Sequence, residues 1–191
     1  KCIHINYNNL VANLKSNHIT KLKISNNGII EVPKGIDMLI TLDELDLSNN
    51  QIEVVNENLL KVSNIESLNL TGNRIKAFET TENQLYNLKK LDLSNNNLIN
   101  IPDGLKNLKG LKRLNLSYNQ NLKLDEICDL IDYFDDLKLL LILDCKTDGI
   151  PKNIEKLKKV GTIIGHDIFT IDELKKLREM GINISIPKTD W

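Results

Sequence analysis

The sequence predicts an α/β solenoid: stacked coils with a parallel β-sheet along a concave side and short helices or 3-10 turns along the convex side. Three observations predict it. The frame L-x-x-L-x-L-x-x-N, as in Leu42, Leu45, Leu47 and Asn50, recurs as Ile19-Leu22-Ile24-Asn27, Ile65-Leu68-Leu70-Asn73, Leu88-Leu91-Leu93-Asn96 and Leu111-Leu114-Leu116-Asn119. The asparagines stand 23 residues apart each time, a period typical of stacked-repeat architectures. The chain of 191 residues is 41% apolar but only 4% aromatic, as an aliphatic core of like coils requires.

Within a coil, positions four and six share one face of a short strand and point inward. Position nine falls where the chain leaves the strand, and its carboxamide can satisfy backbone groups that the turn leaves unpaired. Asn27, Asn50, Asn73, Asn96 and Asn119 should therefore stack as a buried ladder. A sixth frame, Leu137-Leu140-Ile142-Cys145, continues it with a thiol small enough for the same slot. Two further apolar positions close the coils: Ile29/Val32, Ile52/Val55, Ile75/Phe78, Leu98/Ile101 and Thr147/Ile150. Pro33, Pro102 and Pro151 follow where no free N–H is needed.

This frame, its period and the Ile-Pro segments at 101–105 and 150–154 resemble the leucine-rich repeat family, in its 23-residue class, which accepts Asn or Cys at position nine. The resemblance implies a non-catalytic protein-interaction module that binds a partner through its concave face.

In chain order, 1–18 reads as an irregular N-terminal coil, with Ile3, Ile5 and Asn8 in the frame. Residues 19–159 hold six repeats, and 160–191 form a C-terminal cap of one domain. The stretches 56–62 and 80–87 can each hold a helical turn or two. The fifth coil is longer, 26 residues from Asn119 to Cys145. Its apolar residues Leu124, Ile127, Leu130, Ile131 and Phe134 predict a helix, with Asp125 and Glu126 favouring its first turn. The outward residues Asp125, Glu126, Asp129, Asp132, Asp135 and Asp136 make an acidic ridge, either a solvated convex face or a dock for a basic partner. In the cap, Val160–Ile164 begins a strand and Thr170 to Glu173 reads as a capping box. A helix then runs through Leu174, Leu177 and Met180 to a stop at Gly181, before a last alternating strand ending at Pro187.

The candidate binding residues are those at positions three, five, seven and eight, which point out of the concave sheet: Lys21, Lys23, Glu44, Asp46, Ser67, Asn69, Lys90, Asp92, Arg113, Asn115 and Tyr118. The alternating charges either neutralise one another or give a partner an electrostatic register. At the sixth coil the pattern breaks. Leu139, Leu141 and Leu143, continued by Ile164, put apolar side chains on the concave face, and such a patch marks an interaction site. The alternatives are cover by the C-terminal tail ending in Trp191 and a homodimer contact; a monomer is otherwise expected.

Composition narrows the function classes. With 25 basic and 26 acidic residues, nothing argues for nucleic acid, and no apolar run is long enough to span a membrane. His4, His18 and His166 are scattered, and no catalytic, phosphate-binding or metal motif occurs, so neither an enzyme nor a cofactor or metal is expected. Cys2, Cys128 and Cys145 cannot all pair, which favours a reducing environment. The first residue is Lys1, so either the chain was trimmed or a leader was removed. The expected role is a secreted pathogen or parasite effector acting on a host protein in a reducing compartment such as host cytoplasm. The alternatives are a cytoplasmic regulatory subunit or scaffold of the phosphatase or GTPase-pathway type, and a structural surface or wall protein.

Overall fold

Each frame becomes a three-residue strand at positions three to five, because that is where apolar and polar residues alternate. The structure, a computed structural model, describes residues 18–81 and 83–186. The N-terminal coil with Ile3, Ile5 and Asn8, and the tail with Trp191, lie outside the described residues.

The concave strands are β1 (Lys21–Lys23), β2 (Glu44–Asp46), β4 (Ser67–Asn69), β6 (Lys90–Asp92), β7 (Arg113–Asn115), β8 (Leu139–Leu141), β9 (Thr162–Ile164) and β10 (Ile184–Ser185). They form one eight-stranded sheet in the order β1-β2-β4-β6-β7-β8-β9-β10, and every neighbouring pair is parallel. Two short strands, β3 (Val54–Val55) and β5 (Ala77–Phe78), pair with each other in a second, two-stranded sheet. This small sheet was not legible in the alternation of so few residues.

Positions four and six fill the interior. Leu45, Leu68, Leu91, Leu114 and Leu140, with Leu47, Leu70, Leu93, Leu116 and Ile142, are all at most 2% exposed. Each such side chain contributes roughly 1.5–3 kcal/mol by leaving water.

The asparagine ladder stitches the coils together. Asn119 donates from Nδ2 to the carbonyls of Leu116 (2.7 Å) and Ser117 (3.4 Å) in its own coil and of Leu93 (3.1 Å) in the coil before. Its Oδ1 accepts the backbone N–H groups of Asn96 (3.1 Å) and Leu98 (2.9 Å). Asn50, Asn73 and Asn96 repeat the pattern and are likewise buried. Cys145 keeps one element of it, donating from Sγ to the Leu116 carbonyl at 3.3 Å. Asn27, in the first described coil, is only half-buried and donates to Ser25 O.

The convex side is irregular. It carries α1 (Glu57–Leu60), α2 (Leu124–Leu130) and α3 (Ile171–Glu179), with 3-10 turns at Ile36–Met38, Asp103–Asn107, Ile131–Tyr133, Ile154–Lys159 and His166–Ile168. Helix α1 starts at Asn56, whose side chain accepts from Asn58 N. Helix α3 carries the expected capping box between Thr170 and Glu173, and Gly181 follows it at φ 83°. The stretch 80–87 holds turns and no helix among the described residues. Thr80 is tied to the next coil, through its hydroxyl to Gly104 O and its carbonyl to Asn107 Nδ2, and Leu85 takes φ 51°, which breaks a right-handed turn. At that tie the coils touch backbone to backbone, so a methyl group at Gly104 would lie 1.7 Å from Phe78 O.

Two outcomes follow for stability. Asn119→Ala leaves the N–H groups of Asn96 and Leu98 without their acceptor, each costing about 1–3 kcal/mol when buried and unpaired, while the carbonyls of Leu93, Leu116 and Ser117 keep a second donor; it should destabilise by at least about 2 kcal/mol in urea unfolding. Cys145→Ala, which removes one weak donor and a small side chain, should cost only about 1 kcal/mol. Gly104→Ala should lower the melting temperature more than alanine at the exposed Gly110, where the nearest atom is 3.4 Å away.

Candidate binding surface

The in-register strands set the outward side chains in two rows. Position three runs Lys21, Glu44, Ser67, Lys90, Arg113, Leu139, Thr162, and position five runs Lys23, Asp46, Asn69, Asp92, Asn115, Leu141, Ile164. At about 4.8 Å per strand, the eight strands span roughly 34 Å. A shallow depression of about 320 Å³ is lined by Lys21, Lys23, Glu44, Asp46, Ser67, Asn69, Lys90 and Arg113, together with Leu22 and Leu45. The structure thus brings these expected residues onto one face. Leu139, Leu141 and Leu143 follow at its far end, each half-buried.

Position five has a structural task that the sequence reading missed. Its side-chain oxygen accepts the backbone N–H two residues on: Asp46 from Ser48 (3.0 Å), Asn69 from Thr71 (3.0 Å), Asp92 from Ser94 (2.9 Å) and Asn115 from Ser117 (3.0 Å). The signal was present, since only Asp and Asn occupy this position in the four coils from the second to the fifth and both favour such turns. The expectation that Asp92 and Asn115 are available to a partner is corrected here. Both are buried, with Asn115 Nδ2 donating to Asp92 Oδ2 (2.9 Å) and Ser94 Oγ to Asp92 Oδ1 (2.6 Å). The position-seven serines Ser48, Ser94 and Ser117 are buried as well.

Of the row charges, Lys21 and Glu44 pair at 2.8 Å across one strand step. Their hydrogen bond holds the Glu44 carboxyl below its ordinary value and the Lys21 ammonium above. Mutual neutralisation accounts for that pair, whereas Lys23, Lys90 and Arg113 have no ion pair within the described residues.

Position eight is left-handed in every described coil of the frame: Asn26, Asn49, Gly72, Asn95, Tyr118 and Asp144 have φ between 50° and 66°. Gly, Asn and Asp tolerate this, but a bulky side chain costs roughly 1–2 kcal/mol. Tyr118 takes that cost and is still 52% exposed at the rim of the sheet.

The acidic ridge does not stand as a free acidic surface. Asp129 and Asp132 both meet Lys156, at 2.6 and 2.8 Å, and Asp132 also pairs with Lys159. Asp136 pairs with Lys138 and Lys112, at 2.5 and 3.2 Å, and Glu126 accepts the Ile101 N–H. Lysines from neighbouring coils, out of view in the linear pattern, thus pair with Asp129, Asp132 and Asp136. These hydrogen bonds hold the carboxyls of Asp129, Asp132 and Asp136 below the usual range.

Other side chains carry little chemistry. Burial pushes the thiols of Cys128 and Cys145 up to about 12, far from nucleophilic. Asp167 spends its carboxylate on the Asp144 N–H at 2.9 Å rather than on His166. No group of His, Cys, Asp and Glu able to hold a metal occurs among the described residues, and none of their helices is long and apolar enough to cross a membrane. A cavity of about 680 Å³ lies on the convex side between Ile75–Thr80 and Asn97–Asn107. It marks the seam between coils that lack helices there, and it is remote from the outward rows of the sheet.

An open parallel sheet with polar outward rows, carried on an inert aliphatic core, defines a binding scaffold of stacked repeats. The pattern described as leucine rich repeat matches residues 17–75 and again 63–121, together more than half of the chain, and the chain belongs to the leucine-rich repeat family. No curated protein matches its sequence. Among solved structures, the chain is similar to TLR13 in its complex with ssRNA13, at 24% identity and a TM-score of 0.68 over 78% of this chain and 21% of that one. It is also similar to internalin C2 from Listeria monocytogenes, at 26% identity and 0.61 over 87% and 70%. A third likeness is to a leucine-rich repeat protein of Leptospira interrogans, at 24% and 0.59 over 84% and 46%. The chain thus spans about a fifth of the TLR13 chain and less than half of the Leptospira one. Proteins of this family generally act as non-enzymatic scaffolds that bind protein partners.

The ridge pairs set a pH dependence. A carboxyl lowered by folding adds stability that is present above its unfolded value, near pH 4, and is lost as pH falls through the folded value. The melting-temperature difference between the protein and Asp132→Asn should be largest above about pH 5 and shrink away toward pH 2, as checked by thermal denaturation across that range.

Proposed function

We propose that the chain is a non-catalytic protein-binding module whose concave face receives the partner. One observation carries this reading: eight parallel strands present their outward rows as one continuous face that changes from charged at Lys21–Arg113 to apolar at Leu139–Leu143. Family membership supports it. Within it, the finer reading is a secreted binder that acts on a host protein in a reducing compartment. Its supports are the likeness to the internalin C2 of Listeria monocytogenes and two unpaired thiols, both deeply buried.

A photo-crosslinking residue tests both levels. Placed at Ser67 on the concave face, it should give a discrete protein adduct, and placed at the exposed convex Ile99 it should give none. Equal labelling from both faces would remove the concave reading. An adduct formed in host lysate but not in lysate of the producing cell supports the finer reading, and the reverse result overturns it.

A further inference from the structure

Lys90 and Arg113 are register partners on β6 and β7. Their backbones are therefore about 4.8 Å apart, and both side chains stand on the same face. Like charges set directly opposite each other on a sheet are destabilising. Elsewhere the protein resolves charge between coils by pairing it: Lys21 with Glu44, Lys76 with Glu53 and Lys89 with Glu66, each across one coil. Lys90 and Arg113 have no such partner within the described residues, and both are exposed. The acid nearest to them along these strands, Asp92, is tied inward by Ser94 and Asn115. Glu44 accepts the hydrogen bond of Lys21, although the fields of Lys90 and Lys23 also reach it. Two adjacent cations thus face the open side while the carboxylates around them are already engaged.

The next strand changes character at once. Arg113 is followed in register by Leu139, and Asn115 by Leu141 and then Ile164. Tyr118 stands at the rim beside this step, in a strained backbone conformation that Asn, Gly or Asp would hold more easily. Strain retained in an exposed aromatic residue is an independent pointer to a contact site.

Resting on the concave-face reading, we propose that this step is a bipartite receptor for a protein segment in which acidic residues are followed by aliphatic ones. The partner's carboxylates meet Lys90 and the planar fork of Arg113, which suits bidentate carboxylate recognition. Its aliphatic side chains settle on Leu139, Leu141 and Ile164, with Tyr118 closing the rim. From the midpoint of the cations to the midpoint of β8 and β9 is two strand steps, about 10 Å. A single-stranded nucleic acid fits less well. It calls for a longer run of cations and several aromatic platforms, whereas this face sets four cations, Lys21, Lys23, Lys90 and Arg113, against three carboxylates, Glu44, Asp46 and Asp92, with one aromatic ring at its rim.

The test is selection of a displayed library of random twelve-residue peptides on the full chain, with fluorescence-anisotropy titration of the enriched peptides. Enriched peptides should carry Asp or Glu followed by Leu, Ile or Val. Lys90→Glu with Arg113→Glu should weaken them by about a hundredfold, and Leu139→Ser with Leu141→Ser by at least about tenfold. All four side chains are at least partly exposed, so melting temperatures of the variants should stay close to the parent's, which separates lost binding from lost folding. Enriched peptides without acidic residues, an empty selection, or tighter binding of a uridine oligonucleotide than of any peptide would each overturn the proposal. Peptides that respond to concave substitutions at Ser67 but ignore Lys90 and Arg113 would overturn the acidic–aliphatic chemistry alone. Peptides indifferent to every concave substitution would overturn the concave reading itself.

Discussion

The position-nine carboxamide is the interaction on which the rest of the structure depends. A coil of 23 residues bends its backbone off the strand with donors and acceptors turned inward, where water does not reach. One asparagine answers both sides of that problem, because its Nδ2 and Oδ1 serve carbonyls and N–H groups of two successive coils. Buried leucines hold coils together without fixing their offset, whereas hydrogen bonds of defined direction do fix it. The residue-for-residue register of the sheet follows, and with it the straightness of the outward rows.

Much of the fold was legible because it is periodic. Leucine spacing fixed the strands, Asn spacing fixed the coil length, and Thr170 with Glu173 announced the cap helix. What escaped was whatever depends on the neighbouring coil. The pairing of Val54–Val55 with Ala77–Phe78, the tie between Thr80 and Gly104, and the lysines that neutralise Asp129 and Asp132 each join residues from successive coils. A linear pattern shows what each coil offers but not what the next coil offers back.

The candidate surface was legible to a similar depth. Alternation identified which side chains face outward and located the apolar break at Leu139–Leu143. It did not separate residues that merely face outward from those free to act. Asp92 and Lys90 share a strand face, yet Asp92 is buried and bonded to Ser94 and Asn115 while Lys90 is exposed. The left-handed turn at position eight was signalled by Asn, Gly or Asp in five of the six coils, yet only the dihedral of Tyr118 shows that its side chain is kept there at a cost.

The fifth coil has three more residues than its predecessors, yet Arg113 still meets Leu139 and Asn115 still meets Leu141 in register. All the added length is therefore taken up away from the sheet, where α2 and its following 3-10 turn stand in place of the single 3-10 turn of the coil before. Such a coil is a wedge, broad outside and narrow inside, and a wedge in a stack bends it. That wedge falls between β7 and β8, at the same strand boundary where the surface passes from cationic to aliphatic. A ligand lying across that boundary spans the coil whose outer side is lengthened.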